Sequence, residues 1–222
     1  MVKGIVEPLI ETSRLYVDYV TSDSEDIECQ MLYQGVFSDA AVMRYLLQGR
    51  SLTYQETLSF IRDNFSQAKN TLGFMGLFEK NTHALIGFCG ILECHSLFKQ
   101  LLDKQVFPLN DDEIKTAAYS AVKNTREDII AVEFGYALAQ QYWGNAYAYE
   151  IGKAQIACAT TYFPNAMVLA CCHPENAPSI HVLQQLPMEY IDSIYDEKRG
   201  ERWVYCLNTH LSIGHTLFPS TE

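Results

Sequence analysis

The chain has 222 residues, with 16 Lys or Arg against 27 Asp or Glu, so that its formal net charge is −11. Its composition, 48% hydrophobic with only 12 Gly and 7 Pro, is typical of a globular chain and excludes a disordered or collagen-like one. A pI near 4.9 excludes the broad basic surface that nucleic-acid binding needs, and it favours a basic or amine-bearing partner.

The sequence shows no pattern of a membrane span, a secretion signal or a metal site. The longest apolar run, Ala166–Cys172, has seven residues, whereas a spanning helix needs roughly 20. The segment Met1–Val17 lacks the apolar core of a signal peptide. The seven cysteines form no C-x-x-C and H-E-x-x-H is absent, so we expect free thiols, no metal and a cytoplasmic location.

Hydrophobic periodicity predicts alternating strands and helices. In chain order, the first part holds a strand, three helical segments and a hairpin: Glu11–Tyr19, Asp23–Phe37, Ala40–Leu47, Thr53–Ala68, and Leu72–Glu79 with Ala84–Leu92. Polar residues then dominate His95–Asn124, which we interpret as an insertion with helical spacing at Ser96–Lys104 and Asp111–Lys123. The last part holds a strand, a helix, an apolar strand, a short helix and two strands: Ile129–Leu138, Gly144–Thr160, Ala166–His173, Asn176–Leu186, Met188–Tyr195 and Arg202–Asn208.

This order mixes antiparallel hairpins with one strand–helix–strand crossover, from Ile129–Leu138 to Ala166–His173. A crossover of this kind joins parallel strands, so the pattern predicts an α+β fold in which helices pack on a mixed sheet. We expect residues 1–222 to form a single domain, with an inserted segment at about 95–124 and an irregular tail from about 209.

The stretch Ile129–Glu150 carries the strongest functional signal. One face of its strand is bulky and apolar, whereas the other holds small residues and one carboxylate, Glu133. Small residues on a strand face leave room for something other than protein side chains. The strand continues through Gln141–Ala146 into a helix, where exposed backbone N–H groups suit a phosphate. An ordinary strand-to-helix turn is the alternative for this loop.

A second informative stretch is His173–Ser179, which leads into a short helix. Asn176 is a candidate helix cap with Pro178 and Ser179 in the first turn, and capping alone explains these residues. Ligand binding by the same residues is the alternative.

Short motifs stand at five places, in this order: Glu11–Leu15, Val42–Leu46, Leu85–Gly90, Glu133–Tyr136 with Tyr142–Glu150, and Asn176–Ser179. In this order they resemble the GNAT superfamily of acetyl-CoA-dependent N-acetyltransferases. Within it, the chain looks most like the subgroup of ribosomal-protein-alanine N-acetyltransferases.

The resemblance implies a twisted mixed sheet, splayed between its fourth and fifth strands, with helices on both faces and acetyl-CoA in the gap. It also implies that the loop amides hold the pyrophosphate, and that the preceding strand and Asn176 contact the pantetheine. The cofactor-binding residues expected on this basis are Tyr136, Ala137, Leu138, Gln141, Tyr142, Trp143, Gly144, Asn145, Ala146 and Asn176.

The implied reaction is acetyl transfer to a primary amine by direct attack in a ternary complex. We expect Glu133 to be the base, unless it is exposed or paired with a basic residue such as Arg126. The family's frequent general-acid Tyr falls at Leu183, so we assign Ser179 to the leaving thiolate as the second catalytic residue.

The acceptor is expected to be a protein N-terminus or a small polyamine-like compound, and the protein a monomer or homodimer without nucleic-acid or membrane partners. The family's usual Gly-Phe is replaced by Pro187-Met188, and the insertion is expected to overhang the acceptor side. The alternatives are a non-catalytic GNAT fold that binds CoA, suggested by the Leu at position 183, and an interaction protein that works through the insertion.

Overall fold

The computed structural model describes residues 10–20, 26–66, 72–104, 131–197 and 199–208. The predicted helix at Asp111–Lys123, the tail from Thr209 and the possible ion-pair partner Arg126 lie outside these residues.

The described residues contain seven strands, which form one sheet. The strands are β1 Leu15–Asp18, β2 Gly73–Glu79, β3 Leu85–Glu93, β4 Ala131–Leu138, β5 Met167–Cys172, β6 Met188–Asp196 and β7 Gly200–Leu207. The helices are α1 Ile27–Leu32, the π-helical Tyr33–Phe37, α2 Ala40–Met43, α3 Tyr54–Asn64, α4 His95–Asp103, α5 Tyr147–Tyr162 and α6 Ala177–Gln185, and a 3₁₀ turn spans Gln140–Tyr142.

The strand order is β1-β2-β3-β4-β5-β7-β6. β4 and β5 are parallel, whereas β1–β2, β2–β3, β5–β7 and β6–β7 are antiparallel. The β4–β5 register covers only three positions, from Ala131 opposite Met167 to Glu133 opposite Leu169. No further pair joins these strands, although both continue. The predicted mixed sheet, open between its fourth and fifth strands, is confirmed.

Two predicted elements differ from the structure where backbone conformation overrides periodicity. The helix predicted to begin at Gly144 begins at Tyr147, because Gly144 and Ala146 have φ values of 78° and 58°, outside the helical region. The helix predicted over Asp23–Phe37 is, in its described part, α1 followed by one π-helical segment.

Contacts divide the chain into two compact units. Unit 1 comprises Met1–Ile91 with Tyr136–Gln155, and unit 2 comprises Leu92–Gly135 with Ile156–Glu222. β3, β4 and α5 each pass from one unit into the other, so the chain changes unit inside regular elements rather than at linkers.

The core of unit 1 is an aromatic cluster between its helices and its strands. Phe37 and Phe88 stack with ring centroids 5.3 Å apart, and Phe60, Phe65 and Phe74 surround them. Burial of each such ring contributes about 2–3 kcal/mol. The predicted capping box at the start of α3 is present, with Thr53 and Glu56 each accepting the other's backbone N–H.

The core of unit 2 includes the first helix of the predicted insertion. Leu97, Phe98 and Leu101 of α4 are at most 4% exposed and pack with apolar residues of β4–β7. The Lys104 ammonium, just after α4, donates to Asp192 on β6 over 3.0 Å. This part of the inserted segment is therefore core, although polar residues dominate the segment as a whole.

Candidate active site

The loop from β4 to α5 makes two successive turns. Gln140–Tyr142 form a 3₁₀ turn, and Trp143 follows in extended conformation. Gly144 and Ala146 then adopt positive φ and direct the chain into α5. Glycine reaches this region freely, whereas a residue with a Cβ enters it at a cost, so Ala146 is held by its surroundings.

Three consecutive N–H groups of this loop, those of Gly144, Asn145 and Ala146, donate to no other described residue. The N–H groups of Tyr142 and Trp143 close the 3₁₀ turn instead, which removes these two residues from the expected amide donors. Ala146 also has no side chain that can cap α5. Unpaired donors at the positive end of a helix form an anion site.

The space beside Gly144 is open. A Cβ placed on Gly144 would have no atom of the described residues within 4 Å, so a ligand can approach the loop backbone there. The Asn145 side chain donates to the carbonyls of Tyr142 and Trp143 over 3.1 and 3.3 Å and so ties the loop to itself.

Some of the small residues of β4 pack against other parts of the protein, which fills the space beside them. A Cβ on Gly87 would lie 2.0 Å from the Ala137 carbonyl oxygen, so β3 packs against β4 at this point. Ala131 packs in the unit 2 core. The expected room on this strand face is therefore filled at Ala131 and Ala137, whereas Glu133 and Gly135 stay partly exposed.

Tyr136 and Leu138, the other two β4 residues expected to contact the pantetheine, differ in exposure. Tyr136 is half-buried, and Leu138 is buried. The Leu138 carbonyl accepts the Trp143 indole N–H over 2.9 Å, and Trp143 itself is 46% exposed.

A carboxylate on the first turn of α5 joins two of the sequence motifs. Glu150 Oε1 accepts from Thr12 Oγ1, Ser13 Oγ and the Arg14 backbone N–H over 2.6, 3.0 and 2.9 Å. Burial raises the pKa of this carboxyl, but the hydrogen bonds from the 12–14 segment lower it by more, so the pKa of Glu150 lies below its ordinary value. The sequence motifs contained all four residues but gave no sign that they meet.

In unit 2, Glu133 is paired with a residue that the sequence analysis missed. Arg199 Nη1 lies 3.3 Å from Glu133 Oε1, and Arg199 also holds Asp196 in the β6–β7 turn. Burial lowers the pKa of Arg199, but Glu133, Cys171 and Asp196 together raise it by more, so the guanidinium stays charged. Glu133 is the only carboxylate on its strand, but its pairing with a basic residue is the arrangement that the sequence analysis set against its role as the base. The partner is Arg199 and not Arg126, and no local pattern links positions 133 and 199.

Asn176 caps α6, which is the first of the two roles, helix capping and ligand binding, that the sequence analysis gave for this segment. Asn176 Oδ1 accepts the Ser179 backbone N–H over 3.3 Å, and Pro178 lies in the first turn. Within the described part of the chain, the Asn176 amide nitrogen and the Ser179 hydroxyl have no hydrogen-bond partner, so both can contact a ligand. Leu183, at the position of the family's tyrosine, is 3% exposed and belongs to the packed side of α6.

The described residues hold no group of three or more His, Cys, Asp or Glu that could bind a metal. All seven cysteines are free, and burial raises the pKa of the Cys172 thiol to about 11, which removes it as a nucleophile near neutral pH. No helix in the described part of the chain is long and apolar enough to cross a membrane.

Comparison with known proteins connects this geometry to one family. The family model described as "Acetyltransferase (GNAT) domain" matches residues 14–189, which include the loop, Glu133 and α6. No curated protein matches the chain at a significant level.

Solved structures share the fold. A GNAT-family acetyltransferase from Bacillus anthracis superposes with a TM-score of 0.62 at 16% identity, covering 89% of this chain and 96% of that one. RimL, a ribosomal L7/L12 α-N-protein acetyltransferase in complex with coenzyme A, gives 0.61 at 12% identity, with 90% and 97% covered. The microcin C7 self-immunity acetyltransferase MccE, in complex with acetyl-CoA and AMP, gives 0.59 at 9% identity, with 88% and 92% covered.

Proposed function

We propose that this chain, which belongs to the GNAT acetyltransferase family because the family model covers residues 14–189, moves an acetyl group from acetyl-CoA to a primary amine by direct attack in a ternary complex. The observation that carries the proposal is the run of unpaired N–H groups at Gly144, Asn145 and Ala146, ahead of α5. The bound coenzymes of RimL and MccE, which have the same fold, support the choice of cofactor.

The loop holds the pyrophosphate of the cofactor. Three N–H donors lie at the positive end of a 16-residue helix, and the space around a Cβ on Gly144 is free, a combination that suits a doubly charged anion. The backbone of Tyr136–Leu138 and the free amide nitrogen of Asn176 are the candidates to bind the pantetheine arm. Trp143 and Tyr142 shape the loop rather than donate N–H groups to the ligand.

Glu133 takes the proton from the amine. A primary amine is mostly protonated at neutral pH, and only its neutral form can attack the thioester carbon. The Glu133 side chain is 16% exposed and its Oε1 is paired with Arg199, so we assign the proton to Oε2, which has no hydrogen-bond partner among the described residues. The new C–N bond forms as the C–S bond breaks, and the amine proton passes to Glu133 directly or through a water molecule.

Ser179 assists departure of the thiolate. Its backbone is fixed by the Asn176 cap, which leaves the hydroxyl free to donate to the sulfur or to order a water that protonates it. This assignment is needed because Leu183 carries no proton donor.

The acceptor is a protein N-terminus or a small polyamine-like amine. A net charge of −11 attracts cationic amines from a distance, and the RimL fold serves a protein N-terminus. The seven free cysteines favour a reducing location such as the cytoplasm.

The second candidate is a GNAT fold that binds CoA without catalysis, which the buried Leu183 favours. A CoA-release assay over peptide N-termini and small amines, together with calorimetric titration of acetyl-CoA, decides between the two. Release of CoA with one class of amine supports the enzyme. Tight binding without release on any amine supports the second candidate, and no binding contradicts both.

A further inference from the structure

Arg14 contacts the loop and the helix that follows it at the same time. Its Nη1 donates to the Asn145 carbonyl over 3.0 Å, and its Nε and Nη2 each lie 2.6 Å from Glu150 Oε2. Its guanidinium also lies over the Tyr147 ring, with Cζ 4.6 Å from the ring centroid. One side chain therefore bridges the last peptide of the loop to the first turn of α5.

The contact with the Asn145 carbonyl sets the direction of a proposed phosphate donor. In a trans peptide the C=O and the next N–H point in opposite directions. Arg14 binds the carbonyl of the peptide between Asn145 and Ala146, so it directs the Ala146 N–H away from itself. Ala146 has φ of 58°, a conformation that a residue with a Cβ keeps only when its surroundings enforce it.

The contact with Glu150 removes an unfavourable charge. A carboxylate in the first turn of α5 opposes binding of a phosphate at the same end of the helix. The forked guanidinium of Arg14 pairs with this carboxylate and cancels its charge locally. Without Arg14, Glu150 would keep its negative charge in the first turn of α5 with no opposite charge from the 12–14 segment.

We propose that Arg14 is a positioning residue that keeps the Gly144–Ala146 segment in its anion-binding form and neutralises Glu150 beside it. The inference rests on the proposed function, because it assigns Arg14 to the pyrophosphate of that cofactor. Arg14 itself touches no reacting atom.

The test compares two probes: CoA, which carries the pyrophosphate, and pantetheine, which lacks it. Calorimetry measures the Kd of CoA, and ligand-observed NMR measures the weaker Kd of pantetheine. Arg14→Gln should weaken CoA binding at least tenfold and leave the Kd of pantetheine within about twofold of the parent. Arg14→Lys, which keeps the charge but not the fork, should restore only part of the CoA affinity.

Arg50→Gln is the matched control. Arg50 makes a similar two-point contact with Glu56, at 2.6 and 3.1 Å, at the start of α3. This variant should leave both Kd values unchanged. Equal CoA affinity in the parent and Arg14→Gln would overturn the inference, as would equal losses in Arg14→Gln and Arg50→Gln.

The remaining outcomes are also decisive. If Arg14→Gln does not fold, a threefold or greater loss of CoA affinity in Arg14→Lys supports the inference, and parental affinity overturns it. If the parent protein itself does not bind CoA, the proposed function fails, whatever the variants do.

Discussion

Glu133 is the residue whose replacement separates catalysis from binding. Glu133→Gln keeps the size of the side chain but cannot accept a proton, so kcat should fall about 10²-fold or more while acetyl-CoA still binds. Steady-state kinetics and calorimetric titration measure the two quantities. Glu201→Gln, on exposed β7 surface, is the control and should keep parental kcat. Parental kcat in Glu133→Gln would show that another group is the base.

Ser179 and Asn176 test the two functions of the α6 N-terminus against each other. Ser179→Ala removes only the hydroxyl, so kcat should fall about tenfold with little change in acetyl-CoA affinity or stability. Asn176→Ala removes the cap and should lower the free energy of unfolding by about 1 kcal/mol. Kinetics and urea unfolding of both variants provide the check. Parental kcat in Ser179→Ala would leave Ser179 with a structural role alone.

At the scale of elements, the hydrogen bonds from the 12–14 segment to α5 predict that the stability of the fold depends on pH. The pKa of Glu150 is lower in the folded protein than its ordinary value of 4.5, so the folded state binds fewer protons than the unfolded state between these two values. The carboxylate therefore contributes stability that is complete above about pH 4.5 and is lost as pH falls through the folded-state pKa.

Glu150→Gln should remove this part of the acid dependence. Urea unfolding between neutral pH and about pH 3 should show a shallower loss of stability for Glu150→Gln than for the parent. Glu201→Gln controls for the loss of one negative charge and should keep the parental slope. Identical slopes for the parent and Glu150→Gln would contradict the proposed stabilisation by the 12–14 segment.

Elements were predictable where a local pattern determines them. The hairpin β2–β3, the capped helix α3 and the crossover from β4 to β5 follow from alternation, a capping box and an apolar run. The start of α5 was misplaced by three residues, because Ala146 has a positive φ although it is not a glycine, and no local sequence pattern indicates this. The core position of α4 was also unexpected, because the buried Leu97, Phe98 and Leu101 lie within a segment that is polar on average.

For the whole molecule, the order of the motifs along the sequence was sufficient to identify the GNAT family, and the family model over residues 14–189 confirms that identification. Partners distant in sequence were not predictable. Glu150 lies 136 residues from Arg14, and Glu133 lies 66 residues from Arg199. Hydrophobic periodicity predicts only which side of an element is buried, so it could not predict either ion pair.

The central claim is that the loop before α5 binds the phosphates of acetyl-CoA, and Gly144→Glu tests it most directly. The variant places a negative charge in the open space beside the unpaired N–H groups. Gly200→Glu is the matched control, because Gly200 has φ of 73° against 78° for Gly144. A Cβ on Gly200 would also have no described atom within 4 Å, but Gly200 lies at the start of β7. In calorimetric titration, Gly144→Glu should bind acetyl-CoA at least tenfold more weakly, about 1.4 kcal/mol, and Gly200→Glu should bind it like the parent. Parental affinity in Gly144→Glu, or the same loss in both variants, would contradict the account.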